Sequence, residues 1–294
     1  MAVAPVAGSL SVVATPIGNL GDISARAVTV LRAADTVLCE DTRRTRQLLT
    51  HLGISTPTES LHAHNEHAKT AALVERCRQG AKLALVSDAG TPCLSDPGAE
   101  LVDALQHAGI AVATIPGPFA VAAALAASGL TPIPFTFWGF TARRSGERQR
   151  DLRRQLQPAV DGPMTHAYYV PGRDLDAVVG DLVQVAPAAR VCVARELTKI
   201  HESWLRGTPA AVVRALLPQH LCGEAVLLVE ISAAITGNEP PAIDVAALVA
   251  AAKAAGEHRK SALPRLQRTT GVARTALYAL WIAAEVDRPS EDSQ

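Results

Sequence analysis

The chain has 294 residues, 28 Lys and Arg against 28 Asp and Glu, and 48% hydrophobic residues, which is enough for one large or two medium domains with real cores. That composition excludes a disordered or fibrous chain. A net charge of zero excludes a polybasic binder, so a nucleic-acid partner would be held by local basic patches.

From the N-terminus, short β-branched runs alternate with longer amphipathic segments, the pattern of βα units around a mainly parallel sheet. Strands are expected at Leu10 to Ala14, Thr36 to Cys39, Lys82 to Val86 and Ala111 to Ile115. Helices are expected at Ile23 to Ala34, Thr42 to Leu52, Glu66 to Gln79, Ala99 to Ala108 and Phe119 to Ser128. Thr131-Pro-Ile-Pro134 is a proline-broken extended segment, and with Trp138-Gly-Phe140 and the Arg-rich stretch Ala142 to Arg154 it reads as the junction with a second domain. Strands resume at Met164 to Val170, Arg190 to Ala194 and Ala225 to Ile231, with helices at Asp174 to Val185 and Pro209 to Leu217. After Gly237-Asn-Glu-Pro-Pro the chain turns Ala-rich, with helices at Ile243 to Ala255, Arg259 to Gln267 and Val272 to Glu285; the break at Thr269-Thr-Gly is compatible with a helix-turn-helix or a plain helical hairpin. The expected division is 1–138, 139–238 and 239–294, two α/β domains and a helical extension.

Five cysteines, Cys39, Cys77, Cys93, Cys192 and Cys222, lie far apart with no Cys-x-x-Cys pair, which fits a reducing compartment better than a disulfide framework. The first basic residue is Arg26, and the longest apolar run, Phe119 to Ala127, is about half of the roughly 20 residues a bilayer span needs. A cytoplasmic protein with no membrane partner is expected.

Ligands of open α/β sheets bind at the carboxyl ends of the strands. Three loops there have unusual composition. Thr15 to Asp22 holds two glycines but is neither a G-x-G-x-x-G fingerprint nor a P-loop, so alone it reads as a tight turn. Ser87 to Gly98 packs two glycines, two prolines, two aspartates and two serines into twelve residues, a loop suited to presenting rigid main-chain groups. Pro116-Gly-Pro118 repeats the device one strand later, and the two loops together suggest one wall of a pocket.

Charged clusters add three readings. Glu40-Asp-Thr-Arg-Arg-Thr-Arg46 puts acids at a strand end and three arginines in the first turns of a helix, against its dipole, where they suit phosphate or simply solvent. His62, His64 and His67 have a spacing seen in zinc hydrolases, but no further ligands stand at later strand ends, so no metal is expected. Residues 142–154 carry six arginines and two acids, and 253–274 six basic residues and one acid, which suits phosphate contacts.

The run Ala14-Thr-Pro-Ile-Gly-Asn-Leu-Gly-Asp-Ile23, Glu40-Asp-Thr-Arg43, His64-Asn-Glu66, Ser87-Asp-Ala-Gly-Thr-Pro92 with Asp96-Pro-Gly98, Pro116-Gly-Pro118, Gly139-Phe140 and Arg195-Glu-Leu-Thr-Lys199 follow one another in order. Together they closely resemble the ribosomal RNA small subunit methyltransferase I family, a branch of the tetrapyrrole methylase superfamily, over residues 9 to 285. The resemblance implies two α/β domains with a donor cleft between them, homodimers, and S-adenosylmethionine-dependent methylation of a cytidine ribose 2′-hydroxyl in the decoding region of 16S rRNA, with the assembled small ribosomal subunit as the expected substrate. It puts the donor on Thr15, Pro16, Ile17 and Gly18, on Ser87, Asp88, Ala89, Gly90 and Pro92, on Pro116 and Gly117, and on Tyr168, Tyr169, Arg195 and Glu196. Two stretches depart from the family pattern. Tyr168-Tyr-Val-Pro-Gly-Arg-Asp174 lacks an acid and a His usual there, and Cys222-Gly-Glu224 lacks a Lys.

Methyl transfer to a hydroxyl needs a positioned oxygen and a group to accept its proton. Asp41, His64, Glu66 and Asp88 are the candidate bases. Glu40, Arg43, Arg44, Arg46, Asn65, Arg143, Arg144 and Lys199 are the candidate RNA contacts. A tetrapyrrole-type small-molecule methyltransferase, a metal-dependent hydrolase and a non-catalytic RNA-binding module are the competing classes.

Overall fold

The computed structural model describes residues 8–160, 162–232, 245–270 and 272–283. Its first half runs β1 (Ser9–Val13), α1 (Ala25–Ala33), β2 (Thr36–Cys39), α2 (Thr42–His51), β3 (Thr58–Ser60), α3 (Glu66–Arg78), β4 (Lys82–Leu85), α4 (Ala99–His107) and β5 (Ala111–Ile115). All neighbours in the sheet order β3-β2-β4-β1-β5 pair in parallel. Side chains alternate across it with the period of a strand. Leu10, Leu83 and Leu85 pack with Leu73 of α3 and with Leu101 and Leu105 of α4, whereas Val13, Ala84 and Val86 pack with Ala27 and Leu31 of α1 and Leu49 of α2. Adjacent strands β1 and β4 therefore send their connections to opposite faces, which makes the crevice at their carboxyl ends the topological switch point of the sheet.

The second half contains α5 (Ala120–Ser128), β6 (Phe135–Phe140), α6 (Ser145–Gln155), β7 (Met164–Pro171), α7 (Leu175–Val185), β8 (Arg190–Arg195), β9 (Ser203–Gly207), α8 (Pro209–Ala215) and β10 (Glu224–Ile231). The sheet order is β6-β7-β10-β8-β9, with β6 parallel to β7 and every other pair antiparallel. This half is α/β as expected but is mixed in direction. Strand β6 crosses the boundary expected at 138/139, and its ladder with β7 puts all of it in the second sheet. Helix α5 also serves the second half. Its Val121, Ala124 and Leu125 pack on Ala167, Cys192, Ala194, Val226 and Leu228 of that sheet, opposite the core beneath α6, α7 and α8.

Helices α9 (Val245–Ala254), α10 (Arg259–Thr270) and α11 (Arg274–Ala283) share a small core of Val249, Leu263, Leu266, Leu277 and Trp281. Gln184 of α7 donates from Nε2 to the Thr269 carbonyl at 3.0 Å, which joins this group to the second half. The expected helix ends at Ile243 and Glu285, and Gly271 in the expected turn, lie outside the described residues. Among the described residues no helix is long and apolar enough to cross a membrane.

Candidate active site

At the switch point the three Gly/Pro loops are tied together by main chain. Thr15 N–H donates to the Gly90 carbonyl at 2.8 Å, and Gly90 N–H returns a bond to the Thr15 carbonyl at 3.1 Å. Thr15 Oγ1 donates to the Ser87 carbonyl at 3.2 Å, Ser87 Oγ to the Gly90 carbonyl at 3.2 Å, and Thr91 Oγ1 to the Pro118 carbonyl at 3.0 Å. The 87–98 loop turns through four residues of positive φ, Gly90 at 85°, Cys93 at 70°, Ser95 at 71° and Gly98 at 121°. Two of these carry a Cβ, and strain of about 1–3 kcal/mol at such a residue persists only where the surroundings over-determine it.

Facing this loop is the segment that leaves β8. Glu196 (φ 48°) and Thr198 (φ 65°) are again left-handed without being glycine. Glu196 Oε1 accepts Lys199 Nζ at 2.9 Å and Glu224 N–H at 2.8 Å, and Lys199 Nζ stands 3.5 Å from Glu224 Oε2. Burial pushes the Glu196 carboxyl up, but those bonds outweigh it and its pKa is lowered; Lys199 is raised by the same pairing against its burial. Gly18 closes the contact between the halves, because a Cβ there would lie 2.8 Å from the Leu197 carbonyl oxygen and 2.6 Å from Lys199 Cγ.

Between the two walls is a cavity of about 400 Å³, within the range of small-molecule sites. Of the residues the resemblance assigns to the donor, Ile17, Asp88, Ala89, Gly90, Tyr169 and Glu196 line it, together with Arg44 and Lys199. Asp96, Phe140, Arg173 and Glu224 also line it; the sequence named them only within motifs and gave them no role in the site. An aromatic row backs the site, with ring centroids 5.8 Å apart for Phe119 and Phe137, 4.8 Å for Phe137 and Tyr169, and 5.4 Å for Phe140 and Tyr169. Burial, then the charges of Asp96 and Glu224, push the Tyr169 hydroxyl up to about 12.

The expected carboxylates divide sharply. Asp41 caps α2, accepting Arg43 N–H at 2.8 Å, and its two oxygens also take the Arg43 guanidinium at 3.2 and 2.9 Å. The Arg43 side-chain and backbone bonds hold its carboxyl down at about 2, a poor proton acceptor. Glu66 is buried and accepts Leu101 N–H at 3.1 Å, satisfying an orphan donor in the first turn of α4. Asp88 accepts Asp41 N–H at 3.1 Å and pairs with Arg44 at 3.4 Å. Asp96 lines the same cavity, and burial, then the charges of Glu40 and Asp88, raise its carboxyl to about 6.

Several expected contacts are used elsewhere in the fold. Tyr168 points to the opposite face of β7 from Tyr169, into the core beneath α6 and α7. Arg195 is buried, donating to Ser203 Oγ and to the carbonyls of Gln219, His220 and Cys222. Asn65 closes its own turn, accepting His62 N–H at 2.8 Å and donating to the Ser60 carbonyl. Thr15 and Ser87 brace the loops from behind, and Pro16, Pro92, Pro116 and Gly117 are outside the cavity lining. Gly117 instead packs on Ala14, where a Cβ would lie 3.0 Å from Ala14 Cβ. His64 is exposed beside the His62 ring, His67 pairs with Glu100, and no three His, Cys, Asp or Glu among the described residues are arranged to hold a metal. Glu40, Arg43, Arg44, Arg46, Arg143 and Arg144 are exposed, whereas Arg148 of the same Arg-rich stretch is buried against Asp181 at 2.6 Å.

The sequence profile of the Tetrapyrrole (Corrin/Porphyrin) Methylases matches residues 9–212. A protein of Synechocystis named ribosomal RNA small subunit methyltransferase I is 39% identical over 284 residues, 95% of this chain and 99% of that protein. One of the same name from Xylella fastidiosa is 47% identical over 206 residues, 70% of this chain and 74% of that protein. Among solved structures, cobalt precorrin-4 methyltransferase superposes with a TM-score of 0.54 at 20% identity, covering 75% of this chain and 94% of that one, a likeness of fold.

Proposed function

Because the chain belongs to the tetrapyrrole methylases, and within them to the ribosomal RNA small subunit methyltransferase I family, we propose that it transfers a methyl group from S-adenosylmethionine to the ribose 2′-hydroxyl of a cytidine in the decoding region of 16S rRNA. The observation that carries this reading is the cavity at the switch point, with the rigid 87–98 loop on one side and the Glu196–Lys199 segment on the other. Its lining suits the donor. Ile17, Ala89, Ala194 and Val226 offer an apolar surface to an adenine, and Asp88, Glu196 and Glu224 offer negative charge to a cationic sulfonium. The left-handed Gly90 and Gly223 keep the wall free of side chains, since a Cβ at Gly223 would run into the Glu196 carboxylate.

When bound, the donor supplies an electrophilic methyl group. The protein's part is to hold the hydroxyl oxygen near it, exclude water and accept a proton. Arg44 opens into the cavity, and Arg143 and Arg144 follow Phe140 of its rim, where exposed guanidiniums suit RNA phosphates. Residues 253–274 add Lys260, Arg268 and Arg274, which suit the same partner.

A homodimer is part of the proposal. Helix α5 leaves Ala122, Ala123, Ala126 and Ala127 exposed, and Ile133 and Phe135 nearby in sequence are 79% and 42% exposed. An apolar face of this kind is usually covered by a partner.

The test is to incubate the protein with methyl-labelled donor and small ribosomal subunits lacking the modification, then identify the labelled nucleoside. Label in 2′-O-methylcytidine is expected. No label with donor binding intact would turn the reading toward a small-molecule substrate.

A further inference from the structure

Four carboxylates line the cavity, and three of them are occupied. Asp88 is held by Asp41 N–H and Arg44, Glu196 by Lys199 and Glu224 N–H, and Glu224 stands beside Lys199. Asp96 takes no side-chain hydrogen bond and no ion pair from any described residue. A half-buried carboxylate without a partner costs stability and is retained at sites that use it. Its backbone is fixed on both sides, by left-handed Ser95 before it and by Pro97 after it, which restricts Asp96 itself to extended conformations. Gly139 brings the rim strand β6 against this turn, since a Cβ there would lie 3.0 Å from Ser95 Oγ.

We infer that Asp96 is the catalytic base of this site, accepting the proton of the substrate hydroxyl as the oxygen takes the methyl group. The inference rests on the function proposed above. In the balanced step the O–C bond forms, and the C–S bond breaks with its electron pair left on sulfur. The hydroxyl proton passes to the Asp96 carboxylate and then to water, so one proton is released per methyl transferred.

The groups facing Asp96 favour this role. Glu40 from the end of β2 and Asp88 from the β4 loop are negative and oppose its ionisation, as does burial. Tyr169 of β7 stays protonated beside it, and the Cys93 thiol of the same loop is pushed up to about 11 by burial, then by Glu66 and Asp96. The cations in the wall are engaged elsewhere, Arg44 by Asp88, Arg173 by Asp174, and Lys199 by Glu196 and Glu224. An acceptor with pKa near the working pH couples basicity to ionisation, which Asp41 at about 2 does not.

The test compares the wild type with Asp96→Asn and Asp96→Glu in single-turnover methylation of unmodified small subunits between pH 5 and 9, with donor affinity by calorimetry and carboxyl titration by carbon-13 NMR of the donor-free protein. The wild-type rate should fall about tenfold per pH unit below the titration of one carboxyl near pH 6, a resonance absent from Asp96→Asn. Asp96→Asn should lose at least ~100-fold in rate with donor affinity kept within about threefold, and Asp96→Glu should recover part of it. Transfer by Asp96→Asn within about threefold of wild type overturns the inference alone. So does a loss that follows donor affinity, or the absence of a carboxyl titrating near pH 6. If Asp96→Asn does not fold, the wild-type pH profile and its NMR titration decide. No transfer by the wild type overturns both the functional reading and this inference.

Discussion

Across the cavity, the 87–98 loop presents main chain, whereas the 195–199 segment presents ion-paired side chains. The first wall is fixed by the reciprocal Thr15–Gly90 bonds and by left-handed Gly90, Cys93, Ser95 and Gly98. The second is fixed by Glu196, Lys199 and Glu224 holding one another. Main-chain groups keep their charge distribution at every pH and in any salt, while ion pairs weaken as salt screens them and as acid protonates the carboxylates. One wall is thus suited to shape and the other to charge.

The largest expected effect tests the main-chain wall. Gly98 has φ 121°, and a Cβ there would meet Leu85 Cδ2 and Cys93 Sγ. Gly98→Ala should cost about 2–4 kcal/mol by urea unfolding, from overpacking together with backbone strain. That loss should be equal at low and high salt, and a loss that shrinks in salt would mean this wall depends on charge after all.

Lys199→Met tests the other wall. Lys199 is about one-third exposed, so removing it should cost ~1 kcal/mol or less, most at low salt. Glu196 has a lowered folded pKa, so its pairing contributes above the unfolded carboxylate pKa and is lost as pH falls through the folded one. The difference between Lys199→Met and wild type should therefore vanish in acid, and a difference that persists there would contradict the ion-pair account.

Asp96→Asn should move stability in the opposite direction. A carboxyl raised to about 6 favours folding below its unfolded pKa of about 3.9, and that contribution is lost as pH rises through 6. At pH 7.5 the neutral Asn should raise Tm, and at pH 4 the gain should disappear. A lowered Tm at pH 7.5 would show that the carboxylate has a stabilising partner.

The smallest effect is expected from Asp41→Asn. Asn caps a helix as well as Asp does, and although the lowered Asp41 carboxyl makes its whole contribution at pH 7, its ion pair with exposed Arg43 is screened by solvent, so the change there should be slight. Methyl transfer should stay within about threefold of wild type, because the cap, and not proton transfer, is what Asp41 supplies. A hundredfold loss would restore Asp41 as a candidate base.

Helices and buried strands of the first half were legible because their signal is local. Thr36–Cys39 is buried at every residue and reads as a continuous apolar strand, and α4 repeats Leu101 and Leu105 four apart. Strands β3 and β9 were not legible. Thr58–Ser60 has three half-buried residues, and Ser203–Gly207 lies at a sheet edge with too short an alternation. Strand β6 read as a junction because Pro134 and Gly139 punctuate it, and only the ladder with β7 makes it a strand. Helix α5 was legible as a helix, but its apolar residues run almost all the way round, so nothing local told which sheet it would cover.

The sequence by itself determined where the rigid loops fall. Glycine and proline restrict φ at their own positions, and strand ends follow from the apolar runs before them. Only the tertiary structure decided which carboxylates are free. Glu66 meets its donor at Leu101, 35 positions away, and Asp88 meets Asp41 across 47. Asp96 meets no donor among the described residues. Side-chain hydrogen bonds act within about 3 Å in space and carry no memory of distance along the chain, so the chemistry of each acid was set only when the fold brought its neighbours together.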